Sequence, residues 1–299
     1  MTAIAIINRH SGTALNYDPA ALEAAIRSAL DAAGLQAELQ IVAGNELEEA
    51  LQNAASSSAE LLIIAGGDGT INAAARAAMK ADKTLGILPM GTLNRLPNDL
   101  SIPLNLYAAA RVIANGKARR IDAAEVNGEP FFCNSFFGLP AIFSEYRNNL
   151  RGKPLLRRIH GYFSDFVRTA RAAREIEVTV NNNGSERVIR GMAFAVSNNP
   201  YDETQFMALH RGWMDKGLLG FYVSKHKSFG SFAWMLVKVL FGRWNGERHL
   251  ERFTAKTITI SAKRSELKLT NDGELMKMKT PLVYNVIPKA LSVMTPHSV

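Results

Sequence analysis

The regular alternation of short apolar runs with helix-type patterns is the feature that most constrains the fold of the first 120 residues. The apolar runs lie at 2–8, 37–42, 60–65 and 84–89, and the helical patterns at 18–34, 45–55 and 105–115, with a further one that follows the glycine loop at 66–70 and runs through Met79. Asp18, Pro19 and Gly34 are suited to begin and end the first helix. This alternation predicts a mostly parallel sheet that is covered by helices on both faces.

The pattern changes after about residue 120, where strand signals replace the alternation. One hairpin signal surrounds Asn127-Gly128, and a second surrounds the asparagines at 181–183. Further strands are predicted at 192–197, 217–224, 254–260, 265–270, 282–287 and 290–295, with helical segments at 141–174 and 229–241. We therefore expect two domains, an α/β domain over 1–120 and a β-rich domain over 121–299.

The stretch IIAGGDGTINAAA at 63–75 places Asp68 among three glycines, Gly66, Gly67 and Gly69, directly after a predicted strand. Open α/β sheets bind ligands at the carboxyl ends of their strands, and glycines let a phosphate approach the backbone closely. An aspartate repels a phosphate, so its presence here indicates a contact with Mg²⁺ or with an incoming hydroxyl beside a nucleotide. On its own, the loop is equally compatible with a tight strand-helix turn that binds nothing.

Thr70 is predicted to cap the helix after this loop, whose N-terminus would attract an anion. Two more polar loops follow predicted strands of the same sheet. They contribute Asn8, Ser11, Gly12, Gly91, Thr92 and Asn94. Loops at the same edge of a sheet would converge on one ligand. The Walker pattern is excluded, because no Gly-Lys-Ser/Thr follows the glycines.

Near the C-terminus, Asp272, Gly273 and Glu274 form a turn between predicted strands, which alone would be an ordinary hairpin. Together, INxxSG, GGDGT, PMGTLN and the late DGE resemble the diacylglycerol kinase catalytic-domain family. That family includes bacterial lipid kinases and the sphingosine and ceramide kinases. The resemblance covers essentially the whole chain, whereas GGDGT alone is shared with NAD kinases and phosphofructokinases.

The resemblance implies an N-terminal NAD-kinase-like α/β domain that binds the nucleotide. It also implies a C-terminal β-sandwich-like domain, with helical insertions, that receives the lipid. The last strand of relatives often packs back on the first domain, which would place 285–299 there. ATP and Mg²⁺ are the implied cofactors.

By the same resemblance, the nucleotide-binding set is Asn8, Ser11, Gly12, Gly66, Gly67, Gly69, Thr70, Asn72, Gly91, Thr92 and Asn94. Glu274 matches the family's general base, Asp68 would organise the catalytic Mg²⁺, and Asp122 matches a further functional acid. Many bacterial relatives hold a structural Mg²⁺ through the aspartate of an Asp-Gly-Leu turn. Lys216 stands at that position here, so either its ammonium replaces the charge of the ion or Asp215 takes over as the ligand.

Positive charge is concentrated in 147–174, which carries all but one unit of the net charge of +8. This clustering favours a polyanionic partner, and docking on an anionic membrane suits a lipid kinase. A solvated helix face is the alternative. Nucleic acid is not expected as a partner, because no nucleic-acid module accompanies the charge. The apolar stretch 228–244 is interpreted either as core or as a wall of the lipid site.

The sequence thus predicts an ATP- and Mg²⁺-dependent kinase that phosphorylates a hydroxyl of diacylglycerol or a related lipid. One alternative is a soluble-metabolite kinase of the NAD-kinase type. A second is a non-catalytic nucleotide- or lipid-binding protein, because Val42 and Lys216 replace residues typical of the family. The N-terminus lacks a signal peptide, so we expect a cytoplasmic protein that associates peripherally with membranes when acting. The oligomeric state stays open, a homodimer included.

Overall fold

The chain divides into two compact units. The computed structural model describes residues 2–10, 18–141, 175–182, 184–202, 211–226, 229–240 and 249–297. The first unit comprises Met1–Ala123, Trp213–Asp215 and Pro288–Val299, and the second comprises Ala124–Gly212 and Lys216–Ile287. The chain therefore enters the second unit after Ala123 and returns to the first unit twice.

A parallel sheet covered by helices forms the first unit. Its strands are Ala3–Asn8 (β1), Glu38–Val42 (β2), Leu61–Gly66 (β3) and Thr84–Pro89 (β4), in the order β2-β1-β3-β4. Its helices are Pro19–Ala32 (α1), Leu47–Ser56 (α2), Asp68–Lys80 (α3), Arg95–Asp99 (α4) and Leu106–Asn115 (α5). The predicted α/β class is confirmed.

Two of these helices, α1 and α5, begin where the sequence supplies a side-chain acceptor for their first N–H groups. The Asp18 carboxylate accepts from the backbone N–H of Ala20 and Ala21 at the start of α1. The helix then buries Leu22, Ile26, Ala29 and Leu30, which share one face at helical spacing. Gly34 follows with φ +75°, a backbone conformation that terminates helices and favours glycine. Asn105 caps α5 in the same way, through the N–H of Ala108.

Central strands β1 and β3 are buried along their whole length, because helices cover both faces of the sheet. This burial explains why their sequences are continuous apolar runs rather than alternating ones. Since β1, β3 and β4 are parallel neighbours, the loops that follow them leave the sheet at the same edge.

Antiparallel strands form the second unit, which is β-sandwich-like as predicted. One sheet has the strand order β12-β11-β10-β7-β14-β15. The other has the spatial order β16-β13-β8-β9, where β16 is the last strand of the chain. The strands from β5 onward are Lys117–Val126 (β5), Glu129–Phe131 (β6), Asn134–Gly138 (β7), Ile176–Asn182 (β8), Ser185–Gly191 (β9), Ala193–Asn198 (β10), Leu219–Ser224 (β11), Leu250–Ala255 (β12), Thr257–Ala262 (β13), Glu266–Asn271 (β14), Glu274–Lys279 (β15) and Leu282–Thr295 (β16). The part of β5 up to Ala123 and the part of β16 from Pro288 belong to the first unit. A helix, Phe229–Leu240 (α6), lies between β11 and β12 in the sequence.

Side chains from both sheets fill the core of the sandwich. Phe137, Phe194, Phe221 and Leu269 from one sheet pack with Val180, Ile258, Ile260 and Tyr284 from the other. The Phe137 and Phe194 rings are stacked with their centroids 4.5 Å apart. Alternate residues of these strands point inward, as expected for two packed antiparallel sheets.

Two strand predictions are wrong in detail. The run 254–260 is divided between β12 and β13, which are separated by Lys256 alone. The runs 282–287 and 290–295 are instead one strand, β16, whose later part pairs in parallel with β4. Pro288 and Lys289 resemble a strand break in sequence. Lys289 does adopt φ +53°, but its N–H donates to the Asp122 carboxylate and the strand continues.

The helical segment predicted at 141–174 lies almost entirely outside the described residues. Among the helices in the described ranges, none combines the length and the hydropathy that a bilayer crossing requires.

Candidate functional site

The loops after β1 and β3 are joined by a buried hydrogen bond. Asn8, the last residue of β1, donates from Nδ2 to the Thr70 hydroxyl at 2.9 Å, while its Oδ1 accepts from the backbone N–H of His10. Both Asn8 and Thr70 are buried. The two polar loops therefore meet at the carboxyl edge of the sheet, as expected from the strand order.

Thr70 does not cap α3, which corrects one sequence prediction. The N-cap is Gly67, in an extended conformation with no side-chain cap hydrogen bond, and Thr70 is the third residue of the helix. Gly66 leaves room for the Thr70 side chain, since a Cβ on Gly66 would lie 2.5 Å from Thr70 Cγ2. The first turn of α3 thus has no side-chain cap of its own, an arrangement that favours an anionic ligand.

Asp68 links the glycine loop to the loop after β4. Its Oδ2 accepts from the N–H of Asn94 at 3.1 Å, and its Oδ1 accepts from the N–H of Arg95 at 2.7 Å. Asn94 is the N-cap residue of α4 but has left-handed φ and makes no side-chain cap, so Asp68 supplies that function from another helix. A carboxylate offers about four lone-pair positions, and these two bonds leave room for further contacts.

Asn94 also closes the third loop on itself. Its Oδ1 accepts from the N–H of Gly91 at 2.8 Å, and its Nδ2 donates to the Gly91 carbonyl at 2.9 Å. A Cβ on Gly91 would lie 2.7 Å from Asn94 Oδ1 and 3.0 Å from Gly67 Cα. Gly91 is therefore required by the close approach of the two loops.

Hydrogen bonds thus join five predicted site residues in two groups, Asn8 with Thr70 and Asp68 with Asn94 and Gly91, and the first turn of α3 carries a member of each group. We call this set, with Gly66 and Gly67, the loop cluster. Gly69 and Thr92 are exposed nearby in the sequence, whereas Asn72 is buried in α3. Ser11 and Gly12 lie outside the described residues. Contacts of this set with nucleotide phosphates stay a prediction.

Asp122 is fully buried in the first unit. Its Oδ1 accepts from the N–H of Lys289 at 2.9 Å, and its own N–H donates to the Met214 carbonyl at 2.7 Å. Through these contacts Asp122 stabilises β16 at Lys289, where the backbone has a positive φ. Its assignment as a functional acid stays a prediction.

Asp215 makes an ion pair with a guanidinium. Its Oδ2 lies 3.0 Å from Nη2 of Arg119, and both side chains are partly exposed. Within the described ranges, no group of three or more His, Cys, Asp or Glu side chains could hold a metal ion. The geometry therefore adds no support for a structural metal at Asp215.

Glu274 lies in the second unit as the first residue of β15. Asp272 and Gly273 have φ of +49° and +94°, so they form the two-residue turn between β14 and β15. Glu274 is exposed and pairs across the hairpin with Asn271, which is fully buried. The turn signal in the sequence was correct, but Glu274 belongs to the strand rather than to the turn.

Asp272 has a function that the sequence did not indicate. Its carboxylate accepts from three backbone N–H groups, those of Phe132 at 2.7 Å, Cys133 at 2.8 Å and Asn134 at 2.7 Å. Burial raises the pKa of the Asp272 carboxyl, while the three N–H donors and the charge of Arg211 act in the opposite direction. The residue is half-buried as a whole, because the tip of the turn is accessible while the carboxyl group is enclosed.

Among the residues that the structure describes, Arg211 is the largest fully buried side chain, with 1% of its surface exposed. Its Nη1 donates to the carbonyls of Cys133 at 2.6 Å and Asn198 at 3.1 Å. The sequence gave no signal that Arg211 is buried, because arginine is usually exposed.

Comparison with known proteins identifies the class of this chain. A model of the diacylglycerol kinase catalytic domain matches residues 2–126. A model of the YegS C-terminal NAD kinase beta sandwich-like domain matches residues 137–295, more than half of the chain. The chain belongs to the diacylglycerol kinase catalytic-domain family. The resemblance inferred from the four motifs is thereby confirmed.

Curated relatives of this chain are named as lipid kinases. A Staphylococcus haemolyticus protein, provisionally named lipid kinase SH2167, is 25% identical over 243 residues, which cover 80% of this chain and 78% of the relative. A Yersinia pestis protein named "Probable lipid kinase YegS-like" is 44% identical over 92 residues, or 29% of this chain and 31% of the relative. These names support a kinase, and thus a phosphotransferase.

Solved structures of Bacillus anthracis proteins share the fold. One described as a diacylglycerol kinase has a TM-score of 0.72 at 21% identity and covers 98% of this chain and 96% of its own. Another, provisionally described in the same way, has a TM-score of 0.75 at 24% identity and covers 98% and 97%.

Kinases of this family use a nucleotide and usually a divalent metal, and the loop cluster fits that requirement. Mg²⁺ is typically bound by one or two carboxylates together with water and substrate phosphates, rather than by a protein cage. Asp68 supplies a half-exposed carboxylate beside a helix N-terminus that lacks a side-chain cap. Asp68 could therefore supply one ligand to a metal ion whose other ligands come mainly from the nucleotide and water.

The apolar stretch at 228–244 is only partly described. Phe232 and Met235 of α6 are buried against Leu139 and Ala193, so part of the helix is core. Trp234 of the same helix is 62% exposed. The basic segment 147–174 lies outside the described residues, and its role in membrane docking stays a prediction.

Proposed function

We propose that the chain is an ATP- and Mg²⁺-dependent lipid kinase that transfers the γ-phosphate to a hydroxyl of diacylglycerol or a related lipid. The loop cluster is the observation that carries this proposal. Loops after three neighbouring parallel strands are joined there by side-chain hydrogen bonds around a helix start without a side-chain cap. Such an arrangement suits the binding of several phosphates in fixed positions.

Backbone N–H groups at the start of α3 would bind the phosphates of ATP, and the glycines would let them approach. Asn8, Thr70 and Asn94 would keep the loops in position through the bonds described above. Mg²⁺, when bound, would neutralise charge that develops on the phosphates. Asp68 would orient that ion while it holds α4 against the glycine loop.

Glu274 would accept the proton of the lipid hydroxyl as general base. Its exposed position at the first residue of a strand that follows a two-residue turn supports this role, because the side chain is accessible and its backbone is fixed. In this proposal the first unit binds the nucleotide and the second receives the lipid.

Access to a lipid acceptor would take place at a membrane surface, with the protein bound peripherally from the cytoplasm. The eight basic residues of 147–174 are the feature that supports this part of the proposal.

Transfer of labelled phosphate from ATP and Mg²⁺ to a total lipid extract, resolved by chromatography, tests the proposal. The wild type is expected to label a lipid that carries a free hydroxyl. Glu274→Gln is expected to lower kcat far more than the affinity for ATP, as expected for a base that acts in the transition state. Glu266→Gln, at the other end of the same hairpin, is the control and should behave like the wild type.

No labelled lipid from the wild type would contradict the lipid acceptor. A soluble-metabolite kinase would then be tested with the same labelled ATP and a water-soluble cell extract. ATP binding without transfer to either extract would favour the non-catalytic alternative.

A further inference from the structure

We infer that Asp272 and Arg211 are positioning residues for Glu274, because together they clamp the peptide segment 132–134 to which the β14–β15 hairpin is attached. Since Glu274 is the base of the proposed function, this inference rests on that proposal and deepens it. All the groups involved belong to the second unit.

The anionic side of the clamp is the Asp272 carboxylate. It accepts three N–H groups from consecutive residues, with Oδ2 bound to Phe132 and Oδ1 bound to both Cys133 and Asn134, at 2.7–2.8 Å. The N–H of Asp272 in turn donates to the Asn134 carbonyl at 2.8 Å. One turn residue is thus attached to the segment by four hydrogen bonds.

The cationic side is the Arg211 guanidinium, which binds carbonyls of the same segment. Its Nη1 donates to Cys133 at 2.6 Å and lies 3.5 Å from the Phe132 carbonyl. Asn198 supports the same two carbonyls, through its Nδ2 to Phe132 and its backbone N–H to Cys133, each at 3.0 Å. The Tyr201 ring lies 5.9 Å from the guanidinium carbon, within range of a cation–π contact.

The peptide groups of 132–134 therefore connect two opposite charges. The three N–H groups face the carboxylate, and the carbonyls of Phe132 and Cys133 face the guanidinium, so each charge is stabilised by dipoles that the other aligns. A charge removed from the surface is costly unless it is paired and hydrogen-bonded. Loss of either side would leave the other buried charge with fewer partners.

The clamp reaches Glu274 through a short and well-defined connection. Only Gly273 separates Asp272 from Glu274, and the two turn residues have fixed left-handed dihedral angles. Glu274 is the first residue of β15, so the turn sets the position of the backbone from which its carboxylate extends. A displacement of about 1 Å at a reacting group can cost roughly 100-fold in rate.

Asp272 itself is poorly suited to act as the base. Three of its approximately four lone-pair positions already accept backbone N–H groups. It therefore acts through the position of Glu274 rather than on the substrate.

Steady-state kinetics of Asp272→Asn test the inference in the full-length protein, with Arg211→Lys as a second, milder variant and Glu266→Gln as control. The asparagine side chain has an NH₂ group in place of one carboxylate oxygen, so at least one backbone N–H of 132–134 would face a donor instead of an acceptor. We expect kcat to fall about 10- to 100-fold, while the KM for ATP changes less than about threefold. The double variant Asp272→Asn/Glu274→Gln should be no slower than Glu274→Gln alone.

A rise in the KM for ATP with kcat unchanged would overturn the inference. So would a double variant whose kcat falls by the product of the two single-variant reductions. Amide hydrogen exchange gives an answer that does not depend on activity. In Asp272→Asn, exchange should accelerate at 132–134 and at Glu274, but not in the parallel sheet of the first unit.

Unchanged exchange at these amides would overturn the clamp even in an active enzyme. If the wild type phosphorylates no lipid, the proposed function fails, and the exchange result alone then decides whether the clamp exists. If Asp272→Asn does not fold, the same exchange comparison is made with Arg211→Lys.

Discussion

Two aspartates, one in each unit, perform the same structural task in different surroundings. Asp68 accepts two backbone N–H groups from the loop that begins α4, and Asp272 accepts three from the segment 132–134. Asp68 is half-exposed at the edge of a sheet, whereas the carboxyl of Asp272 is enclosed and faces a buried arginine across one peptide layer.

The difference shows that the same feature, a carboxylate that accepts backbone N–H groups, can serve two functions, depending on how exposed it is. A half-exposed carboxylate with lone pairs remaining can bind a ligand as well as hold a loop. An enclosed carboxylate with most of its lone pairs occupied can only hold its loop. The first arrangement fits a residue that contacts a nucleotide-bound metal, and the second fits a residue that supports a neighbouring base.

Replacement of the buried cation should have the largest effect on stability. Arg211→Met removes the guanidinium, leaves the carbonyls of Cys133 and Asn198 with fewer donors, and leaves Asp272 without its opposite charge. The free energy of unfolding should fall by about 3–5 kcal/mol in urea titrations. The control is Arg119→Met, which breaks the partly exposed ion pair with Asp215 and should cost at most about 1 kcal/mol. Equal losses in the two variants would contradict the account of the clamp.

A methyl group between the loops of the first unit should have the next largest effect. Gly91→Ala places a Cβ 3.0 Å from Gly67 Cα and 2.7 Å from Asn94 Oδ1, so the loops must separate. We expect a loss of about 1–3 kcal/mol in the free energy of unfolding.

Gly69→Ala is the matched control, because a Cβ there meets no atom within 4 Å and the residue lies in a helix. Its stability should stay the same or rise by up to about 1 kcal/mol. A destabilisation of Gly69→Ala as large as that of Gly91→Ala would mean that contact between the loops is not the cause.

Removal of a buried amide next to Asp272 should have the smallest effect. Asn271 is fully buried, and neither amide atom of its side chain has a hydrogen-bond partner among the described residues. Asn271→Leu replaces it by an apolar side chain of similar shape, which should leave stability unchanged or raise it by about 1 kcal/mol. Thermal unfolding would measure this. A loss above about 1 kcal/mol would show that the amide has a partner in solution, such as a buried water.

Much of the first unit could be predicted from sequence because its signals are local. The cap at Asp18, the turn at Gly34 and the buried runs of β1 and β3 each depend on neighbouring residues. The grouping of Asn8, Asp68 and Asn94 followed from parallel strand order alone.

What sequence could not supply depends on contacts between distant residues. Asp272 and Phe132 are 140 positions apart, and Asp68 and Asn94 are 26 apart. Local patterns give the type of such residues but not the N–H groups that they bind. Thr70 illustrates the same limit, since its hydroxyl resembles a helix cap in sequence but bonds to Asn8, 62 residues away.

Calorimetric titration of ATP into the wild type and Asp68→Asn, with and without Mg²⁺, tests the central claim about the loop cluster most directly. The wild type should bind ATP more tightly when Mg²⁺ is present, and Asp68→Asn should lose that dependence on Mg²⁺ while it stays folded. A wild type that does not bind ATP, or a folded variant with unchanged dependence on Mg²⁺, would contradict the account.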